Sequence, residues 1–218
     1  MSLAKDKFTS NHDSSVLAST FSHITSGSDR IMVVGVTTRN AGPITGITYN
    51  GDSLTKILEV SPYGGYCQSM WYLIAPDTGT HNVVVTATYS EHIDSYVQTL
   101  TGALQSDQPN AFTSYYSNAQ KIDATLTTTT DIDNCFLFLV FGARGNSFSI
   151  SNKANMTQLA SGYNSFFLEY TNNPQSVAGS VSTGKLEFST YVYPGLVFVA
   201  IEPKDQPILA TGNFLQFM

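Results

Sequence analysis

The fold class can be inferred from one short segment, Ile31-Met32-Val33-Val34-Gly35-Val36. The run is short, apolar and rich in β-branched residues, which is typical of a strand buried on both faces. The turn-forming residues Ala41-Gly42-Pro43 follow it. Similar runs separated by Gly, Pro, Asn and Asp fill the rest of the chain, and helical periodicity is almost absent. The sequence therefore predicts an all-β protein.

The chain after this strand predicts a hairpin. Residues 46–49 and 53–57 read as strands, and Asn50-Gly51 between them readily takes the positive φ values of a tight turn. Further strands are predicted at 69–75, 81–88 and 97–104.

The second half of the chain repeats the order of the first in a weaker form. Residues 136–142 mirror the strand at Ile31 and end in a glycine, as Gly35 nearly ends the first. Residues 148–159 mirror the hairpin, 165–170 mirror the strand around Trp71, and 195–201 form the last buried strand. We predict one domain, a single antiparallel β-sandwich of jelly-roll type with two pseudo-repeated halves.

Composition excludes several classes of function. Charged residues are 12% of the chain and the net charge is −6, with ten scattered Lys and Arg residues, which argues against a nucleic-acid partner. The first residues lack the apolar core of a secretory signal, and the longest apolar run is too short to cross a bilayer, so no membrane insertion is expected. Cys67 and Cys135 suit buried free thiols better than a disulfide, the alternative being a bond between them.

No residue pattern predicts a catalytic centre or a cofactor site. His12, His23, His81 and His92 lack the spacing of zinc ligands; Asp52, Asp131 and Asp133 lack the closing Glu of a calcium loop. His23 is expected to pack against its neighbours. Serines are abundant, but no nucleophile elbow is present. Nothing pairs the candidate glycosidase carboxylates, which are Asp94, Glu91, Glu169 and Glu187.

Aromatic and apolar residues are better candidates for contacts. Tyr63, Tyr66, Tyr115 and Tyr116 fall in predicted loops, where their rings would bind a sugar or a subunit, or simply cover the ends of the sandwich. The C-terminal stretch ends in apolar residues past the last core strand; it would fold back on its own domain or dock on another subunit. Its candidate interface residues are Phe214, Leu215 and Phe217.

A resemblance adds to this interpretation. The residues that carry it are Thr20 to Ile24, Gly27 to Val36, Ile47 to Gly51 with Leu54-Thr55, Trp71 to Leu73 with Ala75-Pro76 and Gly79, and Val197 to Ile201 with Pro203. They resemble a β-sandwich domain of bacteriophage virion proteins and large bacterial surface proteins. The resemblance covers about residues 20–203, leaving an N-terminal arm at 1–19 and a tail at 204–218. It implies a structural or adhesive module and no catalytic residues.

The function predicted from these observations is a non-enzymatic virion structural protein, a capsid or tail decoration protein located in the virion or at a cell surface. Its expected partners are other virion subunits or itself as a homo-oligomer, with glycans as a further option. A carbohydrate-binding adhesive module and a filament subunit are the alternatives.

Overall fold

The computed structural model describes residues 2–39, 42–61, 65–144, 147–171 and 173–204. In these ranges the chain is all-β, with antiparallel pairing and no helix, so the predicted fold class is confirmed at this level. No helix of the described ranges is long and apolar enough to span a membrane. The strands are β1 (Ala4–Thr25), β2 (Ile31–Thr38), β3 (Ile44–Tyr49), β4 (Asp52–Ser53), β5 (Thr55–Val60), β6 (Cys67–Ile74), β7 (Gly79–Thr101), β8 (Ala111–Tyr116), β9 (Lys121–Ala124), β10 (Thr127–Thr130), β11 (Phe136–Arg144), β12 (Ile150–Asn152), β13 (Met156–Ser161), β14 (Ser165–Tyr170), β15 (Gly179–Ser182) and β16 (Leu186–Ile201).

The first sheet is nearly closed. Its strands follow the order β4-β3-β7-β2-β6-β5, and β1 pairs with β7. Strands β4 and β5 lie at opposite ends of this order, yet only Leu54 separates them in sequence. The backbone N–H of Leu54 donates to the carbonyl of Ile47 on β3 at 2.9 Å. The chain therefore links the two edges of the sheet through one residue.

The second sheet has the order β12-β16-β11-β14-β13, with β8 and β9 both pairing with β16. Strands β10 and β15 form a separate two-stranded ribbon. Long bent strands organise both sheets, because β7 and β16 each pair with several shorter strands along their length.

Alternating side chains of the central strands serve two different cores, which explains their unbroken apolar sequence. On β2, Met32 and Val34 point into the nearly closed sheet, whereas Ile31 and Val33 face the second sheet. Strand β11 divides in the same way, with Phe138 toward the first sheet and the neighbouring leucines toward a third cluster. Burial on both faces replaces the apolar/polar alternation of a half-exposed strand.

The predicted hairpin is right at its turn and wrong in its second strand. Asn50 and Gly51 take φ values of +50° and +93°. After the turn, however, only Asp52 and Ser53 pair back onto β3. The rest of the predicted strand, β5, pairs with β6 instead. Residues 55–57 do form part of a strand, as predicted, but the near closure of the sheet makes β6 the partner of this strand.

The structure also differs from the prediction at the N-terminal arm and at one predicted loop. The N-terminal arm at 1–19 is not separate from the sheet, since β1 pairs with β7 from Ala4 onward and runs through the boundary to Thr25. Ala111–Tyr116 is a strand and not a loop. Beyond Lys204, the predicted tail lies outside the described residues. Cys67 and Cys135 are both free and buried, as expected.

Candidate functional site

Strand β8 lies at an edge of the second sheet and contacts β5 and β10 without pairing with them. Within the described ranges β8 pairs only with β16, from Ala111↔Ala200 to Tyr116↔Gly195. Phe112 and Tyr116 are four residues apart and therefore lie on one face of the strand. They are 51% and 54% exposed. Ala111 and Tyr115, on the other face, pack against the core of the second sheet.

The predicted contact residues do not form one group. Tyr116 is exposed, Tyr115 is half-buried and Tyr66 is buried. Tyr63, Phe214, Leu215 and Phe217 lie outside the described residues. Phe112 is not among the predicted contact residues, because the sequence predicts a loop over Ala111 to Tyr116. The signal that would have found it is the spacing of Phe112 and Tyr116 by two strand repeats.

A Ser, a His and an Asp meet between the two sheets, but not in the order that nucleophilic catalysis needs. The Oδ1 atom of Asp94 lies 2.9 Å from Nδ1 of His12, and Oδ2 accepts from the hydroxyl of Ser165 at 2.5 Å. The hydroxyl of Tyr96 lies 2.7 Å from Oγ of the same serine. In a catalytic triad the serine bonds to the histidine. Here both bond to the carboxylate, and the arrangement joins β1, β7 and β14.

The other polar candidates take part in structural contacts. His23 is buried and bonds to Thr9 and Thr99 at 2.8 Å each, which confirms the packing role expected for it. Glu169 pairs with Lys5 at 2.9 Å. In the part of the chain that the structure describes, no group of three or more His, Cys, Asp and Glu side chains could hold a metal ion.

One cleft lies on the second half of the molecule, with a volume of about 360 Å³. Glu187 and Asp123 are register partners across β16 and β9, and Lys185 bridges them with N···O distances of 3.0 and 3.4 Å. Both pairs hold the pKa of the exposed Lys185 amine above its usual value. Ile122, Ser151 and Phe188 complete the lining. The cleft thus offers carboxylates, an amine and a hydroxyl to a polar ligand.

Comparison of the chain with models of known families, with curated proteins and with solved structures finds no match. Its function is therefore inferred from its own residues.

Proposed function

We propose that this chain is a non-enzymatic structural protein that assembles with copies of itself or with other virion subunits through the edge of β8. A capsid or tail decoration protein is the specific role. The observation that carries the proposal is an edge strand that exposes two aromatic rings on one face.

The chemistry of β8 suits strand addition. Its sequence, Ala111 to Tyr116, contains no charged residue and no proline, the residues with which isolated proteins commonly protect a sheet edge. An added strand would satisfy the free backbone groups of this edge, and Phe112 and Tyr116 would supply apolar contact area. The low charge of the chain reduces repulsion between closely packed copies.

The C-terminal tail is proposed as a second contact. Its residues Phe214, Leu215 and Phe217 lie outside the described structure, and the described chain ends beside Gly102, whose carbonyl accepts from the N–H of Lys204 at 2.8 Å. A fully extended segment of 14 residues spans up to about 46 Å, which is enough to reach a neighbouring subunit.

We further infer that the molecule is a sandwich of two related halves. Strand order supports this inference, because β3-β7-β2-β6-β5 in the first sheet corresponds to β12-β16-β11-β14-β13 in the second. The bulges of β1 between Asp13 and Ala18 correspond to the break between β8 and β9. The β10-β15 ribbon is then an addition to the second half. The jelly-roll type stays a prediction.

Light scattering at several protein concentrations tests the assembly. The wild-type chain should form a discrete oligomer, and Phe112→Lys with Tyr116→Lys should return it to a monomer. Val177→Lys is the matched control, because Val177 is an exposed apolar residue outside β8. A chain ending at Pro203 tests the tail separately. A wild-type monomer at all concentrations contradicts the proposal, and a mass that grows without limit indicates a filament.

The cleft favours one alternative, a carbohydrate-binding module. Paired carboxylates, a lysine and a serine are suitable partners for sugar hydroxyls. A glycan array with wild-type protein and Asp123→Asn tests it; binding by a monomer that this change removes would favour the alternative over assembly.

A further inference from the structure

The central strands of the two sheets, β2 and β11, face each other and run in the same direction. A Cβ atom on Gly35 would lie 2.9 Å from the ring of Phe167, and Phe167 pairs with Val140 on β11. Two residues further along, a Cβ atom on Gly142 would lie 2.6 Å from Cγ2 of Thr37. Gly35 and Thr37 on β2 therefore lie opposite Val140 and Gly142 on β11, in the same order along the two strands.

Two of the three arginines of the chain follow these facing positions. Arg39 is two residues beyond Thr37, and Arg144 is two residues beyond Gly142. Arg144 is the last residue of β11, and Arg39 directly follows β2, with its backbone N–H still donating to the carbonyl of His92 on β7 at 3.3 Å. Side chains two residues apart on an extended chain share a face, so both arginines lie at the same end of the interface between the sheets. This end therefore holds two of the ten Lys and Arg residues of a chain whose net charge is −6.

Aromatic side chains lie beside the Arg39 guanidinium group. The Arg39 guanidinium carbon lies 4.8 Å from the ring centroid of Tyr163, and the His92 ring stacks on the same tyrosine at 5.8 Å. Burial raises the pKa of the Tyr66 hydroxyl, and the positive charges of Arg39 and Arg144 oppose that rise, since both lie near it. We call these five residues the arginine rim: Arg39, Tyr66, His92, Arg144 and Tyr163.

Unpartnered polar groups lie one layer below the rim. Gln68 lies on β6, two residues after Tyr66; it pairs with Thr37 of β2 and is fully buried. Neither its Nε2 nor its Oε1 atom has a hydrogen-bond partner among the described residues, and the same holds for Oγ1 of the neighbouring Thr37. Buried polar groups are normally paired, so this layer has unused capacity to bind a polar group. The nearby Asp94 carboxylate already has His12 and Ser165 as partners.

We propose that the arginine rim binds a small carboxylate-bearing ligand. Two guanidinium groups match the planar, two-oxygen geometry of a carboxylate. The carboxamide of Gln68 and the hydroxyl of Thr37 are the polar groups beneath. No residue of β8 belongs to this site, so ligand binding can be tested separately from assembly.

The side-chain Nε–H signals of the three arginines provide the test. The protein is titrated with sodium glucuronate, with sodium acetate and with glucose at constant ionic strength. We expect glucuronate to shift the signals of Arg39 and Arg144 saturably and to leave Arg30 unchanged, with no effect of glucose. Equal affinities for acetate and glucuronate identify the carboxylate alone as the ligand group; tighter binding of glucuronate shows that a sugar acid is recognised.

Variants locate the site. Arg39→Gln should weaken binding by at least about tenfold, as loss of a charged hydrogen-bond donor does. Arg30→Gln is the matched control: Arg30 lies at the opposite end of β2 and donates to the carbonyls of Pro76 and Gly27. A thermal unfolding curve for each variant separates loss of fold from loss of binding. Shifts of all three arginines without saturation, or unchanged affinity in Arg39→Gln, overturn the proposal.

Discussion

At the scale of single residues, close approach of the two sheets depends on missing side chains. Gly35 admits the ring of Phe167, which stacks between Tyr96 and Phe138 with centroid distances of 5.6 and 5.7 Å. The sequence shows Gly35 inside an apolar run but does not show why it is there. Its role depends on a residue 132 positions away in the chain, and such contacts leave no local pattern.

Gly35→Ala should therefore destabilise the protein. A new Cβ would lie 2.9 Å from Phe167 and 3.2 Å from Sδ of Met70, and the stacked ring cannot move aside freely. Overpacking of this kind costs about 1 to 3 kcal/mol in the free energy of unfolding. Denaturant unfolding measures the change. Gly46→Ala is the control, since nothing lies within 4 Å of its Cβ; equal stability of the two variants would contradict the packing argument.

His23 predicts a specific dependence of stability on pH. Burial lowers its pKa from 6.5 to about 4. Between these values the unfolded chain binds a proton that the folded chain does not, so His23 destabilises the fold progressively as the pH falls from about 6.5 to about 4. The full effect is about 3 kcal/mol. Unfolding free energies of wild type and His23→Gln, measured from pH 7 to pH 4, should differ by an amount that changes with pH. A constant difference would show that His23 does not titrate in this way.

At the scale of strands, the sequence predicts where extended segments lie better than it predicts their partners. The turn at Asn50-Gly51 follows from local residue preferences, and the structure confirms it. The pairing of β5 with β6, and of β1 with the whole of β7, depends on the closure of the sheet. The β8 edge was missed for a related reason, because Ala111–Tyr116 is short and polar enough to resemble a loop.

Strand β1 should be essential for folding. Removing residues 2–19 would take the β1 partner from most of β7, which would keep its pairing with β2 and β3. It would also remove the stacking of Phe8 on Phe167 and the ion pair of Lys5 with Glu169. We expect the thermal midpoint to fall by more than about 10 °C, or cooperative unfolding to disappear. A chain ending at Lys204 is the control and should keep its midpoint. An unchanged midpoint after removal of 2–19 would mean that this segment is a dispensable arm.

At the scale of the whole molecule, one apolar cluster joins the two halves. Ile31, Val33 and Tyr96 from the first sheet form one cluster with Phe138 and Val197 from the second. The sequence predicts one domain because its apolar runs are distributed along the entire chain. The arginine rim was not predicted, since it combines residues from both halves that only the facing sheets bring together.

Neither half should therefore fold alone. Residues 2–104 and 105–218 expressed separately would each expose an apolar sheet face and aggregate. Refolded together, they should yield a soluble complex that elutes as one species, which size-exclusion chromatography can measure. A soluble, cooperatively unfolding monomer of residues 2–104 would contradict the shared core.

Hydrogen exchange measured at low and high protein concentration tests assembly through β8 at the level of single backbone amides. The backbone amides of residues 111–116 that do not pair with β16 should exchange rapidly in dilute solution and slowly in concentrated solution, because an added strand protects them. Amides of the buried strand β2 provide the internal control and should stay protected throughout. If exchange in β8 is unchanged under conditions where the mass in solution rises, the interface lies elsewhere and assembly through β8 is wrong.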